Sequence, residues 1–250
     1  MKLERIKCTL QYDGTFFSGF QVQPDQRTVQ GDIEAALRRM HRNQLVRITA
    51  SGRTDTGVHA LGQVFHYDTD LELEEEKWKK ALNSLLPDDI YITDVKKVSN
   101  DFHARFNVRI KEYRYKLLNQ KKPDIFHRHH YWHINQDLDV EKMRQAGKYF
   151  IGTHDFTSFC STKTEVQGDK IRTMYNVEIL QDDPLLTVSV QGSGFLYNMV
   201  RIITGTLVEV GQGKVRPDEV KAILEGKDRT LAGLTAPPQG LYLWQVVYKD

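Results

Sequence analysis

The sequence predicts an α+β protein of two ferredoxin-like halves, each ordered β-α-β-β-α-β, with antiparallel sheets side by side and a cleft between them where a ligand would bind. Three observations lead there. The 250 residues, 40% of them hydrophobic, suffice for one large core or two moderate ones. Apolar residues switch repeatedly between a spacing of two and a spacing near 3.6. The order of elements in the first hundred residues also returns in the remainder, without residue-by-residue similarity. The halves divide as residues 1–104 and 105–250.

In the first half, alternation in "IKCTLQYD" (6–13) predicts a strand, and Val29, Ile33, Ala36, Leu37 and Met40 then share one helical face, with Thr28 as its cap. A strand in "LVRITAS" (45–51), a second in "GQVFHYDTD" (62–70), a helix over 74–85 and a strand over 89–98 complete it. In the second half, strand 111–119 precedes helix 138–150, strands 171–181 and 185–193, helix 198–211, a short helix in "RPDEVKAILEG" and a last strand over 240–249.

Formal charge is only +2, from 35 basic and 33 acidic residues, so the whole-chain balance argues nothing strong about nucleic acid in either direction. Its distribution is more informative. Residues 103–131 hold eight Lys or Arg against two acids, with Phe and Tyr between them. Such a stretch is either a solvated strand and loop or a path for a phosphate backbone with rings for bases. Cys8 and Cys160 match no metal-ligand spacing, the opening "MKLERIKCTL" has no apolar signal core, and no run nears the ~18 apolar residues of a membrane span. The expectation is a cytoplasmic protein that uses no membrane.

The segment "SGRTDTGVHALGQVFHY" (51–67) concentrates chemistry in a loop between strands. Its "GRTDTG" imitates a phosphate loop, but Val58 and His59 stand where Lys and Ser or Thr belong, and a strand follows instead of a helix. The histidines here and in "HRHH" (127–130) fit no zinc spacing. Asp55 therefore either closes a turn, as Asp often does beside Thr and Gly, or acts as a carboxylate on a rigid loop, with Arg53 two residues away as a pairing candidate.

"GRTDTGVHALGQV" resembles the signature of the tRNA pseudouridine synthases of the TruA family. The likeness continues in "YDGTFFSGFQVQP" (12–24), "TVQGDIEAAL" (28–37), "DFHARFNVRIKEYRY" (101–115), "HDFTSFC" (154–160), "GSGFLYNMVRIITGTL" (192–207) and "TAPPQGLYL" (235–243). That resemblance implies that Asp55 is the catalytic residue, Tyr113 the substrate-contacting tyrosine, and Arg201 the arginine that pairs the aspartate. Arg53 joins Tyr113 and Arg201 as substrate-binding. It further implies isomerisation of uridine to pseudouridine at positions 38, 39 and 40 of the tRNA anticodon stem-loop, no cofactor or metal, and a homodimer. Pairing with Arg201 would keep Asp55 ionised at neutral pH.

A uridine in or beside a stem must be turned out of its stack, which costs a few kcal/mol that other contacts offset. His103, Arg105, Arg109, Lys111 and Arg114 are the expected tRNA-binding residues, supported by Lys121, Lys122, Arg128 and by Arg38, Arg39 and Arg42 of the first helix. The rival class is a non-catalytic tandem RNA-binding module, since paired ferredoxin-like domains also describe RNA-recognition motifs, though no strand carries their aromatic signature.

Overall fold

In the computed structural model, which describes residues 3–162 and 169–249, the chain is a mixed α/β protein that groups into two units, Met1–Arg109 with Tyr242–Asp250 and Ile110–Leu241.

The first unit is laid down by period-two burial. Strand β1 (Glu4–Tyr12) buries Ile6, Cys8, Leu10 and Tyr12 at every second position. Helix α1 (Val29–Met40) follows, its first turn capped by the Thr28 hydroxyl, which accepts from the Gly31 N–H at 3.2 Å. Next come β2 (Thr49–Ala50), β3 (His59–Thr69), α2 (Glu75–Leu85) and β4 (Ile90–Val98). β1 lies antiparallel between β3 and β4, with Ile6 opposite Tyr67 on one side and Lys97 on the other. α1 buries Ile33 and Leu37, and α2 buries Trp78 and Leu82. The Trp78 indole meets Tyr67 edge-on at 5.6 Å and stacks near His41 at 6.0 Å. Burying such a side chain stabilises the fold by roughly 1.5–3 kcal/mol.

β2 is shorter than the strand expected in "LVRITAS", because side chains take over the backbone groups at both its ends. The Ile48 N–H donates to the buried Glu34 carboxylate, and the Gly52 carbonyl accepts from the Gln63 side-chain amide.

The second unit contains most of β5 (Val108–Asn119), then β6 (Trp132–Ile134), α3 (Val140–Gly147), β7 (Gly152–Asp155), β8 (Ile171–Asp182), β9 (Leu185–Gly192), α4 (Met199–Gly211) and α5 (Glu219–Gly226). β5, β9, β8 and β7 pair antiparallel in that order, and β6 adds parallel to β5. The helix expected over 138–150 is α only to Gly147 and tightens to a 3-10 turn at Lys148–Phe150. α4 is buried almost all round. Its Thr204 and Thr206 hydroxyls satisfy themselves on the carbonyls of Val200 and Ile202.

The last strand, β10 (Leu241–Tyr248), lies parallel to β3, with Tyr242 opposite His59 and Leu243 opposite Ala60.

Candidate active site

Asp55 stands where an extended segment turns into β3. Its main-chain carbonyl accepts from the Val58 N–H at 3.1 Å, and Gly57 takes the bend at φ +76. The backbone thus closes the turn, while the Asp55 side chain is half-buried. Thr54 before it is buried, and Arg53 is exposed.

The loop is gripped from three directions within the first unit. Tyr12, at the end of β1, shares a 2.7 Å hydrogen bond with the Thr54 hydroxyl. Burial pushes the Tyr12 phenol well up from its ordinary range, so it stays a neutral donor or acceptor. From the segment after β1, the Phe20 N–H donates to the Thr54 carbonyl at 3.0 Å, and the Phe17 carbonyl accepts from the Gly57 N–H at 3.4 Å. From β3, the fully buried Gln63 accepts from the Ser51 hydroxyl at 2.7 Å and donates to the Gly52 carbonyl at 3.0 Å.

Two glycines make this approach possible. A Cβ on Gly14 would lie 2.0 Å from the Val58 carbonyl oxygen. On Gly19, at φ +93, it would lie 3.0 Å from the Thr54 oxygen and 3.4 Å from the Asp55 carbonyl carbon. The backbone of 14–20 is therefore packed directly on the backbone that carries Asp55.

His59, the first residue of β3, is buried and stacks on Tyr242 at 4.7 Å. Its Nδ1 accepts from the Gly14 N–H at 3.0 Å and lies 3.1 Å from an Asp13 carboxylate oxygen. A nitrogen that accepts the Gly14 proton has none to give Asp13, so this is a proximity and not an ion pair. His59 locks the same glycine that the loop packs against.

In the second unit, Tyr113 of β5 is nearly buried, its ring edge-on to Phe195 at 5.0 Å. Arg201, in the first turn of α4, is fixed and does not trail into solvent. Its Nε donates to the Ala236 carbonyl at 2.7 Å and its Nη1 to the Asn198 side chain at 2.8 Å. The Ala236 N–H returns a bond to the Arg201 carbonyl at 3.1 Å. Tyr115 anchors the same "TAPPQG" segment, donating to the Pro237 carbonyl at 2.6 Å.

Among the expected tRNA-binding residues, Arg105 and Arg109 are exposed. His103 is half-buried, and its Nδ1 accepts from the N–H groups of Arg105 and Phe106. Lys111 is half-buried too. Arg114 pairs with the buried Glu112 at 2.6 Å, so part of its charge is engaged inside the protein. The sequence alone assigns no role to Tyr12, Gly14, Gly19, Gln63 or His59, which hold the Asp55 loop. The signal for Gly14 and Gly19 is their place as a pair of glycines among the aromatics of "GTFFSGF" (14–20), a stretch without strand or helix period.

A family model for tRNA pseudouridine synthases matches residues 9–107 and 146–249. A Geobacillus kaustophilus protein, tRNA pseudouridine synthase A, is 56% identical over 248 residues, 99% of this chain and 95% of that protein. A Bacillus cereus protein, tRNA pseudouridine synthase A 1, is 54% identical over 248 residues, 99% of this chain and 100% of that protein. Among solved structures, a chain of a Cbf5-Nop10-Gar1 complex aligns with a TM-score of 0.36 at 13% identity, over 96% of this chain and 59% of that one.

Proposed function

We propose, from the premise that this chain belongs to the tRNA pseudouridine synthase family, that it isomerises uridine to pseudouridine in tRNA and that Asp55 is the acting carboxylate. The reaction breaks the bond between nitrogen 1 of uracil and the ribose, turns the base, and rejoins it through carbon 5. The proton on carbon 5 leaves, and nitrogen 1 gains one. No atom is added to the RNA, so no external energy source is required.

The observation that carries the assignment is the construction around Asp55: a half-buried acid on a loop held by Tyr12, Gln63 and the tightly packed 14–20 backbone. A loop backbone held from three directions restricts where the carboxylate can lie, and small displacements of a reacting group are costly in rate. Asp55 serves as nucleophile toward the ribose or as base. Tyr113 offers a ring face to the extruded uracil and Arg201 a fixed charge, with Arg53 as a further substrate contact. Exposed Arg105 and Arg109, with His103, Lys111 and Arg114, bind the RNA backbone.

The finer reading follows the family resemblance. The targets are uridines 38, 39 and 40 of the anticodon stem-loop, flipped out for reaction, and the protein acts as a cytoplasmic homodimer without cofactor. The order β1-α1-β2-β3-α2-β4 supports a ferredoxin-like first half bearing Asp55, with Tyr113 and Arg201 in the other half.

Tritium release tests the activity. Incubated in chelator with unmodified tRNA tritiated at uracil carbon 5, the protein should liberate tritium in proportion to the pseudouridine formed. Tight tRNA binding with no tritium released would reduce the protein to a binding module.

A further inference from the structure

The geometry points to Phe106 as a base-stacking platform: its ring, backed by His103 and flanked by Arg105, receives an unpaired base of the tRNA. This inference rests on the RNA-modifying function proposed above. Phe106 is 74% exposed. Its ring lies 4.2 Å from the His103 ring at an interplanar angle of 26°, and the Arg105 guanidinium carbon is 5.8 Å from its centroid.

The turn carrying this ring is built rigidly. The His103 Nδ1 accepts from the backbone N–H groups of Arg105 and Phe106, at 3.2 and 3.3 Å, and the His103 carbonyl accepts from the Asn107 N–H at 3.1 Å. The Ala104 N–H donates to the buried His66 Nδ1 at 3.1 Å, and the Ala104 carbonyl accepts from the Tyr248 hydroxyl at 2.8 Å. Below it, Phe102 packs on Tyr248 at 4.9 Å, with the Lys7 ammonium 5.4 Å from the Phe102 centroid and 4.7 Å from that of Tyr248. Ala104 is completely buried, while the residue two positions on holds its ring out in water.

A rigid turn needs no exposed phenyl for its own stability, and leaving one in water forgoes the gain of burying it. The residues beside it on the turn, His103, Arg105 and Asn107, are polar or basic, which suits a nucleic-acid contact better than an apolar protein-docking patch. An aromatic ring carried on a rigid turn, stacked on an imidazole, with one guanidinium 5.8 Å from its centroid and most of its surface in water, matches the chemistry of single-stranded nucleic acid. The base stacks on the ring while the guanidinium meets the phosphate. Preorganisation by the hydrogen bonds of the turn reduces the entropy lost on stacking.

The test is equilibrium binding of an unmodified tRNA transcript over a salt series, using the intact protein and the variants Phe106→Ala, Phe106→Leu, Phe106→Trp and Arg105→Ala. Stacking predicts that Phe106→Ala and Phe106→Leu each weaken binding about tenfold while Phe106→Trp stays near the unaltered protein. The loss should be the same at every salt concentration, because a ring releases no counterion. Arg105→Ala should instead reduce the salt slope by about one. The melting temperature of Phe106→Ala should be unchanged.

Full affinity in Phe106→Ala, or full recovery in Phe106→Leu, overturns the inference. So does a lowered melting temperature, which would make the ring part of the fold's packing. A changed oligomeric state with unchanged RNA affinity would put protein, not a base, on the ring. If the unaltered protein binds tRNA but releases no tritium, the isomerase reading fails while the stacking result stands on its own.

Discussion

Gly19→Ala is the substitution that probes the grip on Asp55 most finely. Gly19 sits at φ +93, beyond the ordinary left-handed region, and an alanine there costs about 1–2 kcal/mol in backbone strain alone. The added Cβ would stand 3.0 Å from the Thr54 oxygen and 3.4 Å from the Asp55 carbonyl carbon, so the loop has to yield by a few tenths of an ångström. Total destabilisation should be about 2 kcal/mol, lowering the melting temperature by about 4–8 °C. The displaced carboxylate should lower the single-turnover rate by roughly 10- to 100-fold. Gly213→Ala is the matched control: Gly213 has φ +73, but nothing lies within 4 Å of the place its Cβ would take, so it carries the strain without the contact. That variant should melt early and keep its rate. The measurements are thermal melting and single-turnover tritium release at a temperature where both variants are folded. Equal rates in the two variants would refute the idea that the 14–20 backbone positions Asp55.

Gln63→Leu removes the bonds to Ser51, Gly52 and the Val64 N–H from a fully buried site, and should lower urea-unfolding stability by about 3 kcal/mol. An unshifted midpoint would contradict the stabilising role of those bonds. Burial, then the nearby charges of Arg5 and His103, hold the His66 pKa down at about 4, against 6.5 in an unfolded chain. Between those values the unfolded state binds the proton and the folded state does not. His66 therefore contributes its full stability above about pH 6.5, and up to ~3 kcal/mol is lost as the pH falls toward 4. Urea midpoints at pH 7 and 4.5 should show this fall, and His66→Gln should flatten it; an equal fall in the variant would assign the effect elsewhere. Tyr113→Phe should bind tRNA normally and lose turnover by tenfold or more, whereas unchanged turnover would make the hydroxyl idle.

Much of the fold is legible in the sequence because burial imposes period. β1 declares itself through Ile6, Cys8 and Leu10, and α1 through Ile33 and Leu37 with Thr28 as its cap. What is not legible depends on partners far away in the chain. β2 shrinks to Thr49–Ala50 because Glu34 and Gln63 side chains intercept the flanking backbone groups, and no local pattern announces that. The pairing of β10 with β3 joins Tyr242 to His59, residues separated by most of the sequence. In the site, Asp55 stands out by its setting in "GRTDTG". The residues that hold its loop do not, because close backbone packing leaves only glycines as its trace. Arg114, a basic residue in a basic stretch, has part of its charge engaged by Glu112, a pairing that the stretch itself does not announce.

The proposed chemistry turns on the Asp55 carboxylate, and Asp55→Asn isolates it, since the amide keeps the size and leaves the Asp55 carbonyl free to hold the Val58 N–H. Single-turnover tritium release, with the protein in saturating excess over carbon-5-labelled tRNA, should fall by at least a thousandfold, roughly 4 kcal/mol of barrier, while melting temperature and tRNA affinity stay level. Release within a few-fold of the unaltered protein, by a sample shown to retain asparagine at that position, would contradict it.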